Sequence, residues 1–159
     1  METLIKPLLD ILQELYIGVN NNAPTWVIDS NPGEGFTATL KTITAKQASM
    51  PLVHGGSTVA AHEEHLRWSI NYALEFYKGN TPPTNWEESW KLRKVDEEEW
   101  SKLQQDLLEA YSQLKEALEK VQDWSNPALI KGTLALLPHA AYHLGSIKQM
   151  IIAVKDLED

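Results

Sequence analysis

The chemistry this sequence offers is concentrated in its five histidines. His139 and His143 lie four residues apart in the stretch LLPHAAYHLGSIKQM, with apolar neighbours on both sides. On a helix they share one face, one turn apart, about 6 Å along the axis. That face continues as Leu136, Ile147, Met150 and Val154, so both imidazoles are expected to point inward. An inward imidazole has two nitrogens to satisfy, and each unsatisfied buried group costs about 1–3 kcal/mol. A divalent ion satisfies them, because histidines at this spacing converge on one metal. The competing reading is a pair of hydrogen-bonded core histidines, and an isolated HxxxH does not decide between the two.

A third ligand would decide it. His62 and His65, in the segment AAHEEHLRW, are the candidates. A stripe through Val59, His62, Leu66, Ile70, Ala73 and Tyr77 is as good as one through His65, Ser69, Tyr72 and Phe76, so periodicity leaves both open. The fifth histidine, His54, precedes Gly55-Gly56 and is expected to be an exposed loop residue.

Four long helices are expected to carry these residues. The first spans about residues 3–19, with Ile5, Leu8, Leu9, Leu12, Leu15 and Tyr16 on one face. A long connection over residues 20–56 follows, with turn signals at Asn31-Pro32-Gly33-Glu34-Gly35 and a short helix near 36–45. The second helix opens with Ser57 as cap and stops at Gly79. A link containing Trp86 and Trp90 comes next, and both indoles are expected to clamp it to the core by packing, not to stack on a ligand. Asp96 caps the third helix with Glu99 at the reciprocal capping-box position. Its stripe runs Trp100, Leu103, Leu107, Tyr111, Leu114, Leu118 and Val121, ending near Trp124. Asn126 caps the fourth helix, with Pro127 in its first turn, and the helix runs to about Leu157. Pro138, deep in that helix, removes a backbone hydrogen bond, so a kink or π-bulge is expected between Leu134 and Pro138. Modest links between long amphipathic helices give an all-α fold, an antiparallel four-helix bundle in a single domain over residues 1–159.

Composition narrows the function. The chain has no cysteine, which excludes disulfides, thiolate ligands and a cysteine nucleophile. The net charge of −8 disfavours nucleic acid and anionic membrane surfaces as partners. The acidic run Asp96-Glu97-Glu98-Glu99 reads as a solvated helix start. The N-terminal METLIKPLLDILQEL is neither a signal peptide nor a membrane span, so a cytoplasmic protein is expected.

The segments STVAAHEEHLRWSINYALEFYKG and HAAYHLGSIKQ, with ITAKQAS, WEESW and VDEEEW between and before them, resemble the DinB-like superfamily of metal-binding bundles over nearly the whole chain. The resemblance implies an up-and-down four-helix bundle with a long crossover between helices one and two. It also implies a three-histidine metal site with one ligand from the second helix and two from the HxxxH of the fourth. The family's helix-two ligand is the last histidine of an HxxH-like pattern. That maps to His65, with His139 and His143 as the other two. His62 is then outside the ligand set, and its replacement is expected to leave the metal largely bound.

Three neutral imidazoles and an open position make a site of catalytic type. Zinc, nickel, iron and manganese all suit histidine, and the sequence does not choose among them. Relatives in the superfamily include enzymes that use low-molecular-weight thiols in S-transferase or isomerase reactions. With no cysteine in the chain, such a thiol would be a co-substrate such as bacillithiol, mycothiol or glutathione. Hydrolysis by an activated water is the alternative, and it calls for a nearby carboxylate. Glu64 adjoins His65 but points about 100° away from it on a helix. A non-catalytic metal-binding protein is the remaining reading, and a substrate-sized pocket over the metal would separate it from an enzyme. Apolar residues expected outside the core, Trp68 and Ile151, suggest a homodimer.

Overall fold

A computed structural model describes residues 2–157 of the chain. Among them it contains helices α1 (Glu2–Tyr16), α2 (Phe36–Leu40), α3 (Ala45–Ala48), α4 (Val59–Tyr77), α5 (Glu97–Lys120) and α6 (Pro127–Asp156), with a 3-10 turn at Glu88–Trp90. The protein is all-helical, with four long helices. α4 packs against α5 and α6, and α1 packs against the same two. One apolar cluster fills the space between them, including Leu12, Leu15, Leu66, Ile70, Leu114 and Ile147.

Each long helix forms where its apolar stripe and its cap agree. Asp96 accepts a hydrogen bond from the Glu99 amide while the Glu99 side chain takes the Asp96 amide, a closed capping box. The stripe from Trp100 to Leu118 is then buried along the whole of α5. Asn126 accepts from the amides of Ala128 and Leu129 at the start of α6, and Pro127 needs no donor there. The cap of α4 is Thr58, not Ser57. Thr58 Oγ1 accepts from the Ala61 amide and donates to the Arg93 carbonyl at 3.0 Å, so it serves helix and link together.

α6 runs as one continuous α-helix through Pro138, without the π-bulge, one of the two forms, kink or π-bulge, expected there. Pro138 and Leu134 are exposed, so the carbonyl deprived of its donor lies on the solvent side of the helix. The short helix expected near 36–45 is two helices, α2 and α3, separated by the turn at Lys41–Thr44. Ile151 is buried in the core, and Trp68 is half-buried and stacked on Tyr72 at 5.2 Å. Ile151 therefore lies inside the core and not outside it, while Trp68 stays partly exposed.

The long connection after α1 is stitched down, not free. Gly18 adopts φ +95°, and a Cβ there would come within 2.4 Å of the Gly33 carbonyl oxygen. Only glycine lets the two strands of the loop approach so closely. The buried Glu14 carboxylate holds the next turn. Its Oε1 accepts from the amides of Val27 at 2.6 Å and Ile28 at 2.9 Å, and both oxygens accept from Trp26 at 3.0 Å.

Replacing Glu14 with alanine would strand three backbone donors. Glu14→Ala is expected to cost about 1.5–3 kcal/mol in urea denaturation, with faster amide exchange at residues 26–28. Unchanged exchange there would show that the carboxylate does not hold the loop.

Candidate metal centre

α4 and α6 place four of the five histidines in one cluster. His65 Nε2 lies 3.1 Å from His139 Nε2, and His143 Nε2 lies 3.2 Å from the same atom. His65, His139 and His143 are therefore close enough to hold one metal ion. An ion about 2.0–2.1 Å from each nitrogen needs ligand atoms roughly 3.0–3.4 Å apart, and the two distances fall in that interval. His54 is exposed and takes no part.

The hydrogen bonds behind the cluster decide which nitrogens face it with lone pairs. Ser89 Oγ donates to the Trp86 carbonyl at 2.7 Å, which uses its only proton. His65 Nδ1, 2.7 Å from the same oxygen, must then donate to it. His65 is thereby fixed as the tautomer with a bare Nε2 directed at the cluster. His143 Nδ1 is 2.9 Å from His62 Nδ1. When His143 donates across this contact, its Nε2 is also bare. Partners of this kind, holding the far nitrogen of a ligating histidine, set ring orientation and basicity.

His62 is thus neither exposed nor a member of the converging set. It is buried, and it braces His143 from behind. Ser89 performs the same service for His65 and was not legible in the sequence, because it sits in the link, 24 residues away. The link also supplies Trp90, whose ring stacks on His65 with centroids 4.2 Å apart and meets His62 edge-on at 5.3 Å. Trp90 packs, as expected. Trp86 does more, since it tilts against His65 and also lines a cavity.

That cavity, about 420 Å3, lies between α4 and α6 with His139 in its wall. Its volume is within the range of small-molecule sites, about 300–1,000 Å3. Ser69, Tyr72, Phe76, Tyr77 and Leu136 form much of the rest.

Burial pushes all four clustered histidines toward the neutral form. His65 is held down to about 4 and His143 to about 3, by desolvation first and by neighbouring imidazoles second. Burial alone lowers His62 and His139. Neutral imidazole is the form that ligates a metal. The adjacent glutamates on α4 divide sharply. Glu64 is tied to Arg67 through two contacts of 2.7 Å, which removes it as a base. Glu63 is fully buried, and among the described residues neither of its carboxyl oxygens has a partner. Burial, and secondarily the charge of Glu64, hold its carboxyl well above the usual range.

These shifts have opposite signs for stability. An unfolded histidine near 6.5 binds protons that folded His65 and His143 refuse. The metal-free protein is expected to lose stability as pH falls from about 6.5 toward 4. For Glu63 the folded value is the higher one. Its contribution is present below the unfolded value near 4.5 and is lost as pH rises through the folded value. Glu63→Met, which keeps the volume and deletes the orphan carboxyl, is expected to stabilise the protein at pH 7 by about 1–3 kcal/mol in denaturant melts. A destabilised Glu63→Met would mean that the carboxyl has a partner in solution.

Comparison with protein-family models, curated proteins and solved structures finds no match, so the chemistry of this centre is argued from its geometry.

Proposed function

We propose that the protein is a DinB-like metalloenzyme in which His65, His139 and His143 ligate a divalent ion, with thiol-dependent transfer or isomerisation as its chemistry. The observation that carries this reading is the convergence of the three Nε2 atoms with the His65 tautomer already fixed by Ser89. The architecture proposed with it is an up-and-down four-helix bundle in which residues 17–58 form the crossover between its first two long helices, α1 and α4. The mutual packing of the four long helices supports it.

A divalent ion on three neutral imidazoles supplies Lewis acidity, which lowers the pKa of a thiol or a water that reaches it. The remaining work falls to the chain. Ser89 and His62 hold the ligand rings in register. Trp90 covers the cluster on one side and limits water. The cavity at His139 leaves room for a small molecule, which favours an enzyme over a closed structural site. Since the chain has no cysteine, the thiol is a co-substrate. In the transfer reaction its S–H proton passes to solvent, a C–S bond forms, and the leaving group departs with its electron pair. No carboxylate lines the cavity among the described residues, and Glu64 is engaged with Arg67, which weighs against hydrolysis.

Tag-free protein is expected to carry about one divalent ion per chain by elemental mass spectrometry, and His143→Ala is expected to lose it while keeping its helical circular dichroism. If neither form retains zinc, nickel, iron or manganese after incubation, the reading fails. His62→Ala and Ser89→Ala are expected to weaken metal affinity by about 10–100-fold without abolishing binding. For His62 this replaces the sequence-based expectation of a largely unaffected site.

A further inference from the structure

The cavity at His139 has a chemical character that narrows what enters it. Among the described residues, none that lines it carries a carboxylate, an ammonium or a guanidinium group. Its broad surfaces are aromatic, from Tyr72, Phe76, Tyr77 and Trp86. Three of the four hydroxyl groups in its wall have spent their protons on protein acceptors, and the fourth, Tyr72, pairs with Thr84 at 2.7 Å. Ser69 donates to the His65 carbonyl at 2.7 Å. Thr133 donates to the Leu129 carbonyl at 2.8 Å, so Tyr77 must donate to Thr133 Oγ1, 2.6 Å away. What Ser69 and Tyr77 present to the cavity is therefore oxygen lone pairs. The other side-chain N–H donors of the lining are the exposed Asn126 and Trp86 and, at the inner end, the His139 imidazole, whose Nδ1 carries the proton when Nε2 ligates.

Away from the His139 end, an anionic body finds neither a cationic side chain nor a buried hydrogen-bond donor in such a wall, and its desolvation there goes uncompensated. A cationic body finds no carboxylate, and a divalent ion at the His139 end repels it. An uncharged flat body is favoured on all counts: it stacks on the rings and can donate a hydrogen bond to the hydroxyl oxygens.

Gly132 is a second, independent pointer. It lies within α6, where glycine weakens a helix, and a Cβ added there would meet nothing within 4 Å. The space next to its backbone belongs to the cavity. Any larger residue would strengthen the helix and project into that space. Gly132 leaves that part of the cavity wall without a side chain.

We infer that the cavity binds the uncharged, aromatic-bearing body of the substrate, with the reacting end directed at the histidines. The inference rests on the metalloenzyme reading for that last clause. It also assigns the cavity to the electrophilic partner of a thiol, since the carboxylates of glutathione would find no cationic side chain here.

The test is calorimetric titration of the full chain with 2-naphthol and with naphthalene-2-carboxylate, which share a ring system and differ in charge. After chelator treatment, 2-naphthol is expected to bind at least about tenfold more tightly than the carboxylate. In metal-loaded protein, Gly132→Leu is expected to weaken 2-naphthol binding by about tenfold or more with no loss of helicity. Equal or tighter binding of the carboxylate to the chelated protein overturns the inference, and so does unchanged 2-naphthol binding in Gly132→Leu. Metal content is read on the same samples. Failed probe binding beside a full complement of metal sinks the substrate class and leaves the metal reading standing. Selective probe binding in a protein that never holds metal supports the cavity's preference and sinks the metal reading instead.

Discussion

Buried imidazoles must have both nitrogens satisfied, and this cluster cannot manage that from within. His65 gives its one proton to Ser89, so its Nε2 is bare. His139 Nε2 lies between the Nε2 atoms of His65 and His143, at 3.1 and 3.2 Å. If His139 is protonated there, it has one proton for two acceptors. If it is not, and His143 donates to His62, three lone pairs face one another; if His143 donates to His139 instead, the bare Nε2 of His65 still lacks a donor. All four rings are driven to neutrality by burial, so a second proton does not come cheaply. A divalent cation is the one partner that satisfies three convergent lone pairs at once.

The rest of the structure serves that arrangement. The capped start of α4 aims His62 and His65 at α6, and Thr58 ties that start to the link through Arg93. The link then folds its 3-10 turn over the rings, bringing Ser89 beneath His65 and Trp90 against its face. The long connection after α1 is pinned at Gly18 and Glu14 against the end of α1. Its short helices join the same core, and α3 packs on α4, α5 and α6. One orphan group, the Glu63 carboxyl, stands apart from this arrangement, in the same turn of α4 as His65.

Much of this was legible in the sequence, for physical reasons that also mark where legibility stops. Stripes of period 3.6 and local capping signals located the four long helices, because both act within a few residues. The facing of His139 and His143 followed from their spacing on one helix. The choice between His62 and His65 did not. α4 is buried across a wide arc, so both stripes are real, and both histidines are inside. What separates them is the direction of one nitrogen each, set by His143 in one case and by Ser89 in the other. Those contacts cross 81 and 24 residues of sequence, and no local pattern encodes them. The same limit hid the depth of Glu63, whose neighbour Glu64 is chemically identical and differs only by one step around the helix. Ile151 was misjudged for a related reason: α6 is covered on more than one side, and a single-stripe reading leaves the second face out.

The proposed ligand atoms are the Nε2 nitrogens of His65, His139 and His143, with His62 outside the set. The most direct measurement is residue-resolved imidazole nitrogen NMR of the labelled protein, before and after one equivalent of zinc. The account predicts that the Nε2 resonances of His65, His139 and His143 shift together while His65 keeps its proton on Nδ1. His54 is predicted to stay unchanged. Rings that do not respond to zinc, or a response at His62 in place of His65, would contradict it.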